Sequence, residues 1–177
     1  MATGRSTNLT GQVGEFLVCS ELGRRGILAT PFSGNVPEFD VIAVGEHANT
    51  VPVQVKCSNS STWQLRLGDW LNVSYDRRRR RHVLGDKPKR RLSHLELIFV
   101  FVALDRRRSD RFYVLSKWRV RELIYRRYLE IMEPRGYRRP RNPESMLWAI
   151  SEREMSRYQD NWKLIEDRCR GSRRGRR

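Results

Sequence analysis

The stretch Glu38-Phe39-Asp40-Val41-Ile42-Ala43-Val44, followed after a short polar loop by Val51-Pro52-Val53-Gln54-Val55-Lys56-Cys57, decides the fold. Both runs are short and rich in β-branched residues. The loop between them holds Gly45, Asn49 and Thr50, which predicts a β-hairpin. Side chains two apart on a strand share a face, so Gln54 and Lys56 point the same way. If the hairpin folds about position 47, Asp40 falls opposite Gln54. A carboxylate, an amide and an ammonium then meet on an otherwise apolar sheet. Such groups are costly to bury without partners, so the patch is expected to face a cleft. A cleft holding a carboxylate and a lysine suits metal-assisted phosphate chemistry.

Upstream, Asn8 or Thr10 is placed to cap a helix that runs to about Arg25 and stops at Gly26. Val13, Phe16, Leu17 and Ser20 form a stripe at helical spacing, expected to pack on the sheet. Gly11 and Gly14 cost helix stability and so predict close approach to another backbone. Ile27 to Thr30 reads as the first strand and Phe32 to Pro37 as a loop. Downstream, Thr62 to Leu65 reads as a short strand. The near-continuous apolar run from Glu96 to Leu104 predicts a strand covered on both faces, with Arg111 to Leu115 as its hairpin partner. Ser116 is placed to cap a helix carrying Val120, Leu123, Ile124, Arg127 and Tyr128. Met146 to Ile150 reads as a last short strand, and Ser151 with Glu154 as a capping box opening a last helix to about Cys169. This order predicts an α/β (α+β) fold, a mixed β-sheet flanked by helices, in a single domain over residues 1–170.

Between these elements the chain is strongly basic. Asp76 to Arg91 contains Arg77, Arg78, Arg79, Arg80 and Arg81 in a row, then Lys87, Lys89, Arg90 and Arg91. With Gly85, Pro88 and no apolar periodicity, this segment (76–91) reads as a loop or arm. Pro134 to Pro143 is a second basic loop, with Arg135, Arg138, Arg139 and Arg141, and Arg106 to Arg108 is a third basic run. Residues 171–177 read as a basic, disordered tail. Of the 36 basic residues 31 are Arg, whose fork matches phosphate geometry, and the net charge is +16. That imbalance argues for a polyanionic partner, DNA first and RNA second. No helix-turn-helix, zinc finger or RNP motif accompanies the basic runs, so they predict a salt-dependent, sequence-independent grip. Trp63, Trp70 and Trp118 are candidates for stacking on bases, although a core position is the commoner fate of tryptophan.

The 177 residues are 38% hydrophobic, which suits one core under a charged surface. Cys19, Cys57 and Cys169 are too few and too far apart for a disulfide framework. With His47, His82 and His94 they form no metal-site spacing. The N-terminal residues lack the apolar core of a signal peptide. The longest apolar run, Leu97 to Leu104, falls far short of the roughly 20 residues of a membrane span. No membrane role is expected, and the cytoplasm is the expected location.

Glu15, within Gly11-Gln12-Val13-Gly14-Glu15-Phe16 near the start of the first helix, completes the constellation. Over about residues 8–65 the chain resembles the PD-(D/E)XK nuclease superfamily, in the branch that includes archaeal Holliday-junction resolvases and type IV restriction endonucleases. That family has a glutamate on the first helix, an aspartate early in the second strand and an (E/Q)-x-K on the third. Glu15, Asp40, Gln54 and Lys56 match those positions in order and approximate spacing. The proline often found before the aspartate stands two positions earlier, at Pro37. The resemblance implies a restriction-endonuclease-like sheet and a metal-dependent endonuclease acting on DNA. It implies Mg²⁺, or Mn²⁺, held by Asp40, Gln54 and Glu15. Lys56 would position the attacking water or stabilise charge on the phosphorane, and the products would be a 5′-phosphate and a 3′-hydroxyl. Gln54 offers a carbonyl without charge, which leaves one less charge to hold the ion.

On the residues alone, other readings stay open. One is a nucleic-acid-binding protein that keeps this fold without cleaving; another is an RNA-associated basic structural protein. At the hairpin itself, Asp40 and Lys56 could form an ordinary strand ion pair. Resolvase-like relatives often dimerise, so a second copy of the chain (a homodimer) is a candidate partner, although no interface is legible.

Overall fold

In the computed structural model, residues 4–32, 38–85, 97–105 and 107–171 are described. In chain order the elements are α1 (Gly4–Arg24), β1 (Leu28–Pro31), β2 (Val41–Val44), β3 (Thr50–Ser58), β4 (Thr62–Arg66), β5 (Val73–Asp76) and β6 (Arg81–Leu84). There follow β7 (Ile98–Ala103), β8 (Arg111–Ser116), α2 (Lys117–Met132), β9 (Leu147–Ser151), α3 (Glu152–Met155) and α4 (Lys163–Cys169). The expected hairpin forms: β2 and β3 pair antiparallel with Val41 opposite Val53, a register that brings Asp40 opposite Gln54. The sheet order is β1-β2-β3-β7-β8. Only β3 and β7 run parallel; the other neighbours are antiparallel. The mixed sheet flanked by helices is therefore what the chain builds.

β7 explains why its sequence is apolar throughout. Phe99 and Phe101 point to the side of α2, where they join Trp63, Trp70, Val120, Ile124 and Tyr128. Ile98, Val100 and Val102 point to the side of α1 and α4, where Val18, Leu22, Trp162 and Ile165 lie. A strand at the centre of a three-layer arrangement buries both faces, so the usual alternation disappears. α2 begins as expected, with the Ser116 hydroxyl accepting the Arg119 N–H at 3.4 Å.

Three local expectations need correction. The first concerns α1, which starts at Gly4, so that Asn8 and Thr10 lie inside the helix and do not cap it. Thr10 instead accepts a bond from the Asn59 amide at 3.3 Å. The C-terminal stop is as read: Gly26 has a φ of +74°, with Ile27 N–H bonded to Leu22 C=O and Gly26 N–H to Gly23 C=O, each at 3.0 Å. Of the expected stripe Leu17 packs, half-buried, against the core, but the packed face is centred on Gly14, Val18 and Leu22, while Val13, Phe16 and Ser20 are exposed, Phe16 by 63%. Close approach to the sheet selects the glycine face over the bulkier stripe. Gly14 provides that approach; Gly11 faces open space and does not.

The second correction is to the basic segment. Within Asp76–Arg91, residues through Leu84 are ordered as a hairpin: β5 and β6 pair antiparallel, Arg77–Arg80 make the turn, and Arg81 opens β6. Asp76 shapes that turn by accepting the N–H groups of Arg78 and Arg79 at 2.9 and 3.0 Å. His82, buried, ties the hairpin down. Its ring meets the Tyr128 hydroxyl at 3.2 Å and the Pro143 carbonyl at 3.1 Å, and its backbone N–H donates to Tyr137 C=O at 2.8 Å.

The third correction is to the last helix. The Ser151–Glu154 capping box is present, but the helix it opens, α3, ends at Met155. The chain then docks on β8, with Asp160 N–H bonded to Phe112 C=O at 2.8 Å and the Asn161 amide to Val114 C=O at 3.2 Å. A 3-10 turn at Ser156–Tyr158 follows α3, and α-helix resumes at Lys163. Lys87, Lys89, Arg90, Arg91, Arg106, loop residues 33–37 and tail residues 172–177 lie outside the described residues. Among the described residues, no helix is long and apolar enough to cross a membrane.

Candidate active site and arginine groove

Three of the four residues singled out by sequence, Asp40, Gln54 and Lys56, come together on the β2–β3 hairpin, and Glu15 of α1 is near enough to Asp40 to feel its charge. Asp40 sits just before β2, its backbone N–H bonded to Val53 C=O at 2.9 Å. Its Oδ2 accepts the Val55 N–H at 2.8 Å and a bond from the Gln54 side-chain amide. The Val55 N–H lies two residues beyond the last β2–β3 pair, so the Asp40 carboxylate takes the place of a strand partner. Val55 is thus a participant that sequence reasoning missed, since a main-chain donor leaves no side-chain signal. Gln54 and Lys56 stand opposite Phe99 and Phe101 of β7. They share the face turned toward α2, as the period of two requires. Glu15 comes near Asp40 from α1, on the other side of the sheet, where Gly14 lets the helix settle on β3 with Val55 and Cys57 directly beneath it.

Burial is the largest influence on both carboxyls and raises both above their ordinary values. For Asp40 it is opposed by the Val55 N–H and the nearby Lys56 charge. For Glu15 it is reinforced by repulsion from Asp40. The two acids are therefore electrostatic neighbours, and a cation beside them would relieve both effects. The donors are oxygens: two carboxylates, the Gln54 amide carbonyl and the Val55 carbonyl, which lies 3.5 Å from the Gln54 amide nitrogen. An all-oxygen set suits a hard divalent ion. Gln54 now turns its NH₂ toward Asp40, so ligation needs its amide rotated. Among the described residues, no group of three or more His, Cys, Asp or Glu side chains has the arrangement of a metal site. Asp40 and Glu15 are the two carboxylates beside the neutral Gln54 amide.

The basic residues assemble a second feature. Arg78, Arg79, Arg80 and Arg81 from the β5–β6 turn line one groove with Arg138, Arg139, Pro140 and Pro143. Two segments nearly 60 residues apart are joined there by the His82 contacts. Arg77 is exposed on the same turn but does not line the groove. Arg139 is held by the Leu147 carbonyl at 2.6 Å and lies over the Trp148 ring, so it is partly structural. Of the tryptophans considered for stacking, Trp63 and Trp70 belong to the core and Trp118 is 41% exposed.

No protein-family model and no curated protein matches the chain. Among solved structures, that of a bacterial homing endonuclease, I-Ssp6803I, is similar to it, at 16% sequence identity and a TM-score of 0.49, over 90% of this chain and 93% of that one.

Proposed function

We propose that this chain is a metal-dependent endonuclease that hydrolyses DNA phosphodiester bonds. The observation that carries the reading is the meeting of Asp40, Gln54 and Glu15 beside Lys56. They resemble the PD-(D/E)XK pattern in order and approximate spacing, with the proline displaced to Pro37 and a glutamine, Gln54, as the second ligand. In this reading Asp40, Glu15 and the Gln54 carbonyl hold Mg²⁺ or Mn²⁺. Bound there, the ion supplies Lewis acidity toward the scissile phosphate and lowers the pKa of a coordinated water. Lys56 presents its ammonium on the same strand face, to steady the charge that builds on the phosphorus oxygens. Asp40 is itself held in place by Val55 N–H, so its carboxylate need not reorganise during the reaction. The arginine groove binds backbone phosphates regardless of sequence. The three free cysteines accord with a reducing compartment such as the cytoplasm.

The second reading is a DNA-binding protein that does not cleave, favoured by the uncharged Gln54. Incubating supercoiled plasmid and four-way-junction DNA with the protein separates the two, in Mg²⁺, Mn²⁺ or a chelator. Metal-dependent cleavage is expected. Binding without cleavage in either ion would support the second reading and contradict the first.

A further inference from the structure

A cavity of about 850 Å³ lies between α2 and the β5–β6 hairpin, next to the arginine groove. That volume is within the roughly 300–1,000 Å³ typical of small-molecule sites. One stripe of α2 faces it, with Trp118, Arg121 and Tyr125, while the stripe of Val120, Ile124 and Tyr128 is buried in the core. Arg81 and Tyr137 also line it, with apolar residues such as Leu71 and Leu129.

Three properties make this cavity unlike a packing defect. Trp118 and Tyr125 are 41% and 43% exposed, a costly display for two large aromatic rings. The Nε atoms of Arg81 and Arg121 are enclosed yet have no hydrogen-bond partner, although buried donors are nearly always satisfied; the Arg121 guanidinium lies over one face of Trp118, 5.2 Å from the ring centroid, which leaves the other face for stacking. The charges also balance, because Glu122 and Glu133 line the same cavity as the two arginines. Among the described residues, the neighbouring groove is lined by arginines and prolines. Phosphate belongs in that groove. A neutral, flat ring bearing both donors and acceptors belongs in the mixed, aromatic cavity.

Arg81 lines both spaces, so the groove and the cavity adjoin. We infer that the cavity receives an unpaired base of the bound DNA strand, stacked against Trp118 and Tyr125 with Arg121 and Arg81 donating to its edge. A paired base keeps its faces inside the duplex stack, so only a base out of the stack can enter. This inference rests on the nucleic-acid reading of the protein and adds a preference for DNA with an unpaired nucleotide.

The test uses the full chain without divalent ions and two DNAs carrying 2-aminopurine, one in a single-nucleotide bulge and one fully paired. Wild type is expected to quench the bulged fluorophore and to bind that DNA more tightly. Trp118→Ala and Tyr125→Ala, both at exposed positions, should each lose about 5- to 150-fold of affinity for bulged DNA. Their affinity for paired DNA should be unchanged. Equal binding of the two DNAs by wild type, or bulge binding untouched in both variants, overturns the cavity's role alone. Absence of binding to either DNA overturns the nucleic-acid reading as well.

Discussion

Gly14 of α1 rests directly on Cys57 of β3: a Cβ added to Gly14 would stand 2.6 Å from the Cys57 Cβ. Glu15, the next residue, is near enough to Asp40 to feel its charge. Gly14→Ala should therefore lift the helix from the strand, destabilise the fold by about 1–3 kcal/mol and weaken metal-dependent activity. Gly11 faces open space in the same helix. Gly11→Ala should stabilise by up to about 1 kcal/mol. Thermal melts of the two variants check the contrast; equal shifts would mean that α1 is not seated by Gly14.

The carboxyls give a pH signature. Asp40 and Glu15 have pKa values raised by burial in the folded chain, so the folded state holds their protons more tightly than the unfolded state does. Their contribution then favours folding at low pH and is lost as pH rises through the folded values. Asp40→Asn removes part of that penalty. Without divalent ions its melting temperature should gain on wild type as pH increases from about 4 to about 7. Adding Mg²⁺ should close the gap by stabilising wild type. A gap independent of pH would show that Asp40 ionises as freely as in an unfolded chain.

Gln54 tests the donor set. Gln54→Glu removes the amide bond to Asp40 and brings a third carboxylate to the cluster. The metal-free protein should melt lower. The Mg²⁺ midpoint of cleavage, or of the metal-induced thermal shift, should fall on the order of tenfold. An unchanged midpoint would place Gln54 outside the ion's reach.

The arginine groove can be weakened without touching the acidic cluster. Arg78, Arg79 and Arg138 are exposed; Arg139 is not a clean probe because of its bond to Leu147 C=O. Changing those three to Ser should reduce DNA affinity alike for all sequences. The slope of log affinity against log salt should shrink by about 0.9 for each duplex phosphate that an arginine no longer neutralises. Cleavage at saturating DNA should persist. A constant salt slope would move the phosphate grip elsewhere on the surface.

The β2–β3 register is legible in the sequence because two β-branched runs and one polar loop allow a single fold line, and Asp40, Gln54 and Lys56 follow from it. Glu15 is found by resemblance, but the packed face of its helix is not legible. Hydrophobic periodicity favours Val13 and Phe16, whereas the distance between α1 and β3 requires a residue with no side chain, which is set by tertiary packing. The β5–β6 hairpin is hidden for a similar reason. Arg81-His82-Val83-Leu84 lacks a plain alternation, and His82 is buried only because Tyr128 and Pro143, far along the chain, receive its ring. That same long-range contact brings Arg138 and Arg139 to the arginine turn, so the basic runs can be seen in sequence while their common groove cannot. The break in the last helix depends on Asp160 and Asn161 bonding to β8, another contact with no local signal.

The most direct measurement is the rate of Mg²⁺-dependent strand cleavage of supercoiled plasmid by Asp40→Asn and Lys56→Ala beside wild type, with melting curves to confirm that each variant is folded. Wild type should cleave, and each folded variant should lose at least about 100-fold in rate, as when one preorganised stabilising group is removed from an active site. A folded Asp40→Asn protein that cleaves at the wild-type rate would contradict hydrolysis at this cluster.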